Sequence, residues 1–105
     1  MEYRKAQLKD LADCIRKGAR EDGKQIYGSF FAFGAHWGTG AYQVTGCCAA
    51  GAALLGAGAD VPGDPERALY ERFPISRGNI YKAIVHLNDD VRLTREEIAD
   101  WVEKL

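Results

Sequence analysis

The sequence predicts a mainly α-helical fold, with four or five short helices around a central apolar helix at about 47–57. A small β-hairpin or an aromatic loop is predicted at about 28–45, and the class becomes α+β if the hairpin forms. Three observations lead to this prediction. Apolar residues recur at helical spacing near both ends of the 105-residue chain, all 14 basic and 15 acidic residues lie outside 25–59, and that neutral segment contains eight glycines.

The first predicted helix runs from about Lys5 to Glu21. Charged residues occupy its outer faces, while its apolar residues share one face: Leu8, Leu11, Ala12, Ile15 and Ala19. This pattern is typical of a helix that covers a core with one side. Gly23 follows at the position where a left-handed residue commonly ends a helix.

The helical period stops between Gln25 and Gly46. Aromatic and β-branched residues alternate there with glycines that a stable helix does not tolerate. Two short runs, Ser29–Phe33 and Ala41–Thr45, are typical of hairpin arms, and residues 37–40 lie near the predicted turn. An irregular aromatic loop is the alternative for the same segment.

The central helix is predicted from Cys47 to about Gly56, where almost every residue is Cys, Ala, Leu or Gly. A helix that is apolar on every side must be buried. Ala52 and Gly56 lie one turn apart and leave room for a neighbouring backbone or aromatic ring to approach closely.

The second half of the chain contains start and stop signals for the remaining helices. Asp64 followed by Pro65 is typical of a helix start, and Pro74 ends that short helix. Ser76 is predicted to cap a fourth helix, whose buried face carries Ile80, Ala83, Ile84 and Leu87.

Two further signals follow the fourth helix. Residues 88–90, Asn-Asp-Asp, predict a turn, because these side chains hydrogen-bond their own backbone. An acidic helix end of this kind can also bind a cation or orient a partner, although the structural role is the commoner case. Thr94 and Glu97 form a predicted capping box at the start of the last helix, which presents Ile98, Trp101, Val102 and Leu105 on one stripe.

The overall composition excludes several classes of partner. A net charge of −1 disfavours nucleic acid, which requires clustered Lys and Arg. No membrane segment is predicted, because glycines and polar residues interrupt the neutral stretch before it reaches roughly 18 apolar residues. The opening residues lack an apolar signal-peptide stretch, so we expect one cytoplasmic domain over residues 1–105, with its three cysteines reduced.

Short motifs in this order resemble a known type of small domain. They are residues 45–52 (Thr-Gly-Cys-Cys-Ala-Ala-Gly-Ala), residues 87–89 (Leu-Asn-Asp) and residues 94–101 (Thr-Arg-Glu-Glu-Ile-Ala-Asp-Trp). The chain resembles small bacterial and phage-type helical domains of unknown function, although its cysteine is doubled and alanine stands where an aliphatic residue is usual. The resemblance implies a compact, mostly helical module, often encoded on mobile DNA, with no assigned activity and no known site to carry over.

Cysteine and histidine residues are the candidates for catalysis. Cys47 and Cys48 lie at the amino end of a predicted helix, where the helix dipole favours a thiolate. His36 or His86 could act as the base, oriented by Asp89 or Asp90. Buried, inert cysteines on an apolar helix are the commoner case, however. No CxxC or HxxxH pair occurs, so we predict neither a metal nor another cofactor.

The aromatic residues of the neutral segment are the stronger functional candidates. Phe30, Phe31, Phe33, Trp37 and Tyr42 crowd into a stretch too glycine-rich to bury them all, and strand alternation would place Phe31 and Phe33 on one face. Exposed aromatic clusters mark binding surfaces, although coverage of both faces is an equal alternative.

These observations favour an interaction module over an enzyme. The leading hypothesis is a non-enzymatic domain that uses the charge-free segment 25–46 to bind itself, as a homodimer, or another protein. The alternative is a domain that binds a small apolar ligand in an aromatic-walled pocket, to which Trp37, Tyr42 and Tyr81 contribute polar tips. A cysteine-dependent enzyme is the third hypothesis.

Overall fold

The computed structural model describes residues 2–21, 24–35, 42–60 and 63–105. Within these ranges the chain forms five α-helices and a three-stranded sheet, which confirms the mainly helical prediction and its hairpin. The elements are α1 (Glu2–Glu21), β1 (Lys24–Gln25), β2 (Phe31–Ala35), β3 (Tyr42–Cys47), α2 (Ala49–Gly56), α3 (Pro65–Arg72), α4 (Asn79–His86) and α5 (Arg95–Glu103).

The core is built around α2, as the sequence predicts. Seven of its eight residues are buried, and it packs mainly against α1, which also contacts α5. The helix begins at Ala49, later than the predicted start, because Cys47 is the last residue of β3 and Cys48 caps the helix. On the outside, Arg16 joins α1 to α5 through ion pairs with Asp100 at 2.8 Å and Glu103 at 2.6 Å.

Two glycines let α1 and α2 approach backbone to backbone. A Cβ atom on Gly56 would overlap the carbonyl oxygen of Cys14, and one on Gly18 would overlap that of Ala52. The predicted close approach at Ala52 and Gly56 is therefore confirmed, with α1 as the neighbour. The matching glycine on α1 was not predicted.

The hairpin is formed by β2 and β3, which pair antiparallel from Phe31 opposite Cys47 to Ala35 opposite Tyr42. Its arms are one or two residues later than predicted, and the predicted turn at 37–40 lies outside the described residues. The short strand β1 adds a parallel partner to β3, so the strand order is β1-β3-β2. Thr45 is an extra residue in β3, because Ala32 pairs with Gly46 and the next residue pairs with Val44.

The start of α3 confirms one cap prediction, and the start of α4 overturns another. The Asp64 side chain accepts a hydrogen bond from the Arg67 amide, and Pro65 begins the helix. Ser76, by contrast, does not cap α4. It lies buried in a 3₁₀ turn (Pro74–Ser76), where its hydroxyl donates to the Phe73 carbonyl at 2.6 Å, and α4 starts only after Gly78, whose φ is +88°.

The prediction of a turn at residues 88–90 is wrong, because these residues are helical. The backbone continues from α4 into a single π-helical turn (Leu87–Val91), which ends at Arg92 with a left-handed φ of 62°. Asn88 is 1% exposed, so it belongs to the interior and not to a solvated turn. The capping box of α5 is confirmed, with Thr94 and Glu97 each bonding the other's amide.

Candidate functional site

Asn88 connects three parts of the fold through its side-chain amide. Its oxygen accepts hydrogen bonds from the Ala49 amide at 3.1 Å and from Gln25 Nε2 at 3.0 Å. Its nitrogen donates to the Ile26 carbonyl at 2.9 Å and to Asp89 Oδ1 at 2.7 Å. All four hydrogen-bonding positions of the amide are used, so the side chain fixes the start of α2 against β1 and the π turn.

Asp89 continues this network toward the surface. The same Oδ1 atom accepts a hydrogen bond from the Gly28 amide at 3.0 Å. Gly28 has a φ of +80°, a conformation that favours glycine and turns the chain between β1 and β2 across the end of α4. The network therefore holds this turn in place beside the first residues of α2.

A cleft of about 90 Å³ lies where the turn, α2 and α4 meet. Ten residues line it: Gly28, Ser29, Phe30, Cys48, Ala50, Tyr81, Ile84, Val85, Asn88 and Asp89. It contains apolar side chains, two aromatic rings, a thiol and one carboxylate.

Phe30 and Tyr81 form the aromatic part of the cleft. Their rings are nearly parallel, at 15°, with centroids 6.0 Å apart, and Tyr81 meets Tyr70 edge to face at 5.5 Å. Burial is the main reason why the pKa of Tyr81 is raised to about 12, with carboxylates nearby as a smaller cause. Its hydroxyl is therefore uncharged at neutral pH. Phe30 also lies 6.2 Å from the ring of Phe31, so four of the six predicted ligand or interface residues form a series of ring contacts: Tyr81, Phe30, Phe31 and Phe33.

The aromatic residues of β2 differ in burial. Phe31 is buried, whereas Phe33 is 53% exposed, although their rings lie 6.3 Å apart. The irregular step in the pairing with β3 lies between Ala32 and Phe33, so Phe33 is the first residue of β2 beyond it. The side chain of Tyr42, and His36 and Trp37 entirely, lie outside the described residues.

Cys48 faces the cleft as a neutral thiol. Its sulfur caps α2 by accepting from the Gly51 amide at 3.3 Å. Burial nevertheless raises its pKa to about 11, outweighing the opposite effect of the backbone amides. Burial also raises the pKa of the Cys14 thiol. The helix start alone therefore does not activate Cys48.

Cys47 points the other way, toward a buried arginine. Arg95 is 6% exposed, and its Nη1 lies 3.2 Å from Cys47 Sγ while donating to the carbonyls of Cys47 and Lys24 at 3.4 Å. The sequence pattern does not single out Arg95, because the helix dipole disfavours a cation in the first turn and no local signal indicates a buried partner for it. Arg95 ties α5 to the sheet.

His86 does not reach the cleft. It is exposed, with its Nδ1 atom 2.9 Å from Asp90 Oδ2, and it is absent from the lining residues around Cys48. The described residues thus pair the histidine with a predicted orienting carboxylate but not with a cysteine. In the same ranges, no group of three or more His, Cys, Asp and Glu side chains could hold a metal ion. No helix there could cross a membrane.

Native Cys48 is expected to react slowly with iodoacetamide. At about pH 8, a thiol of pKa about 11 carries about 100-fold less thiolate than one with the ordinary value of 9.0, and burial restricts access further. Peptide mass spectrometry after timed labelling, with protein in denaturant as the control, measures this protection. Labelling of native Cys48 as fast as in denaturant would contradict it.

Comparison with protein-family models, with curated proteins and with solved structures returned no match. The resemblance of the cysteine-alanine, Leu-Asn-Asp and capping-box motifs to small bacterial and phage-type domains therefore stays a prediction. A function for this chain has to follow from the geometry of its own residues.

Proposed function

We propose that the chain is a non-enzymatic interaction module that forms a homodimer through the outer edge of β2. The observation that carries the proposal is an edge strand with an exposed aromatic residue at its centre. Within the described residues β2 pairs only with β3, and Phe33, the middle residue of β2, is 53% exposed. A free edge offers a row of backbone donors and acceptors to another strand.

The edge of β2 lacks the features that usually prevent strand addition. Natural edge strands are protected by charged side chains, proline or bulges. Residues 31–35 (Phe-Ala-Phe-Gly-Ala) contain neither charge nor proline. The extra residue of the hairpin, Thr45, belongs to the inner strand β3, so the sequence of β2 itself stays regular.

A symmetric dimer fits this strand. A two-fold axis pairs one copy of β2 antiparallel with the other and joins the two sheets into six strands. Because Phe33 is central in the five-residue strand, it then faces its own copy across the axis. Cross-strand aromatic pairs contribute roughly 0.2–1 kcal/mol, in addition to the backbone hydrogen bonds. Because residues 25–59 contain no charged side chain, this segment itself adds no like-charge repulsion to the contact.

Phe33→Lys is expected to convert the dimer to a monomer. The substitution places two like charges opposite each other at the two-fold axis, and we expect at least about tenfold weaker association. Sedimentation velocity over a micromolar to submillimolar series measures the change. Phe33→Thr removes the aromatic ring without adding a charge, and threonine keeps the β-propensity of the position. This variant therefore separates the effect of losing the ring from the effect of adding a charge.

Gln43→Lys is the matched control for this experiment. Gln43 is exposed on the inner strand β3 and pairs with Gly34. The substitution therefore adds the same positive charge to the sheet, but away from its edge. This variant should associate like the wild type. A wild-type chain that stays monomeric throughout the series, or an equal loss in Phe33→Lys and Gln43→Lys, would reject the proposal. Wild-type monomers that bind an extended peptide at β2 would reassign the edge to a different protein.

A further inference from the structure

The cleft beside α4 contains a carboxylate without a cationic partner among the described residues. Asp89 takes part in no ion pair there, and none of the ten lining residues is basic. Its hydrogen bonds from Gly28 and Asn88 both end on Oδ1. A carboxylate has about four acceptor positions. Oδ2 therefore keeps capacity for a donor that comes from outside.

The negative charge of Asp89 acts on two other groups that line the cleft. The carboxylate is one of the secondary causes that raise the pKa of both Cys48 and Tyr81, after burial in each case. Because these two groups stay neutral at physiological pH, Asp89 alone sets the charge of the cleft lining. A ligand that matches this charge is a cation.

The remaining walls favour an organic cation over a metal ion. The parallel faces of Phe30 and Tyr81 offer cation–π contacts, and Ile84 and Val85 can cover methylene groups. The carboxylate is a single ligand, whereas Ca²⁺ requires six or more oxygens. At about 90 Å³ the cleft is smaller than a pocket of about 300–1,000 Å³ for a drug-sized molecule, so it fits only the end of a short chain.

We infer that this cleft binds a primary alkylammonium group, with its charge on Asp89 and its methylenes against the lining side chains of Phe30, Tyr81 and Val85. A compact ammonium suits this carboxylate better than a planar guanidinium, whose fork of donors binds both oxygens, because Oδ1 already accepts two hydrogen bonds. The group could belong to a free amine or to a lysine side chain. This site is separate from the edge of β2 and does not depend on the homodimer.

A chemical-shift titration with n-butylammonium chloride tests the inference on the intact protein. We expect saturable shifts at the Gly28 and Asp89 amides and at the Asn88 side-chain amide. The neutral analogue n-butanol, at the same concentration, should bind at least about tenfold more weakly, because it lacks the charge. Sodium chloride at equal ionic strength is the blank. Absence of saturable shifts at these positions, or equal binding of n-butanol, overturns the inference without any variant.

Asp89→Asn is the variant that tests the carboxylate. The amide oxygen of asparagine can still accept from the Gly28 amide, so the fold should be kept while butylammonium binding falls at least about tenfold. Asp90→Asn is the matched control, because Asp90 is exposed and lies beside His86, outside the cleft. Equal effects of the two substitutions would overturn the assignment to Asp89.

The source of the ammonium group is distinguished with a second ligand. N-acetyl-lysine N-methylamide presents the same group with a peptide backbone attached. Binding of this ligand as well as butylammonium supports a lysine side chain of a partner, and binding of butylammonium alone supports a free amine. Failure of both contradicts the site, whereas the homodimer is tested independently by sedimentation.

Discussion

Gly56→Ala is expected to destabilise the fold by about 3 kcal/mol, at the upper end of the usual cost of overpacking. The added methyl would overlap the Cys14 carbonyl oxygen, which belongs to the backbone of α1 and cannot rotate away. The helices have to separate, and separation loosens the packing of α1 against α2, which is the most extensive contact between any two elements. The gain in helix propensity of about 1 kcal/mol is smaller than this loss.

Urea unfolding, followed by far-ultraviolet circular dichroism and by tryptophan fluorescence, measures the change. Gly63→Ala is the control, because a Cβ there meets no atom within 4 Å and Gly63 has no positive φ. It should change the free energy of unfolding by less than about 0.5 kcal/mol. A Gly56→Ala protein as stable as the wild type would mean that the helices do not approach this closely.

Gly18→Ala tests the other side of the same contact. Its methyl would overlap the Ala52 carbonyl oxygen, so a loss similar to that of Gly56→Ala is expected. The double variant should lose less than the sum of the two, because helices that have moved apart for one methyl already accommodate part of the second.

These glycines show which part of the fold is predictable from sequence. A helix that is apolar all round has to be buried, and this rule places α2 at the centre without knowledge of its neighbours. The role of Gly18 is different. A glycine within an amphipathic helix is only a cost to helix propensity, and its use becomes visible when a second backbone lies against it. Local rules therefore predict the helices themselves, whereas packing determines which helices lie against each other.

Ser76 and Arg95 illustrate the same limit. Ser76 has the right residue type for a cap, but its hydroxyl donates a hydrogen bond to the Phe73 carbonyl, and the helix starts only after Gly78. Arg95 follows a correctly predicted cap, yet its side chain turns inward to carbonyls of the sheet that are distant in sequence. Ser76 is therefore used by a competing local turn that the cap rule does not consider, and Arg95 by partners that are distant in sequence and that no local pattern contains.

The candidate site was predicted in part. Phe30 and Tyr81 were both named from composition and spacing, but their contact joins the hairpin to α4 and no short motif encodes it. The sequence suggests two roles for the carboxylate of the cleft, Asp89: an orienting partner for a histidine, and part of an acidic helix end that can bind a cation. The structure places Asp89 beside Gly28 and Asn88, whereas Asp90 lies beside His86.

Asn88→Ala is expected to destabilise the protein by about 3–5 kcal/mol. Truncation leaves the buried Ala49 amide and the partly buried Ile26 carbonyl without their partner, and a fully buried group left unsatisfied costs about 1–3 kcal/mol. The hydrogen bond to Gln25 is lost as well. Asn79→Ala, at an exposed asparagine in the first turn of α4, is the control and should cost less than about 0.5 kcal/mol. Equal losses in the two variants, measured by urea unfolding, would contradict the role of Asn88.

Asn88→Asp separates the acceptor role of Asn88 from its donor role. Aspartate can still accept from the Ala49 amide, but it cannot donate to Ile26, and it faces Asp89, whose carboxylate oxygen lies 2.7 Å from the nitrogen that is replaced. Ionisation of both carboxylates is therefore more costly in the folded state than in the unfolded chain. The stability of this variant relative to the wild type should rise as pH falls through the carboxylate range, since one bound proton restores a donor and removes the repulsion. A loss that is the same at neutral and acidic pH would mean that the asparagine acts by shape alone.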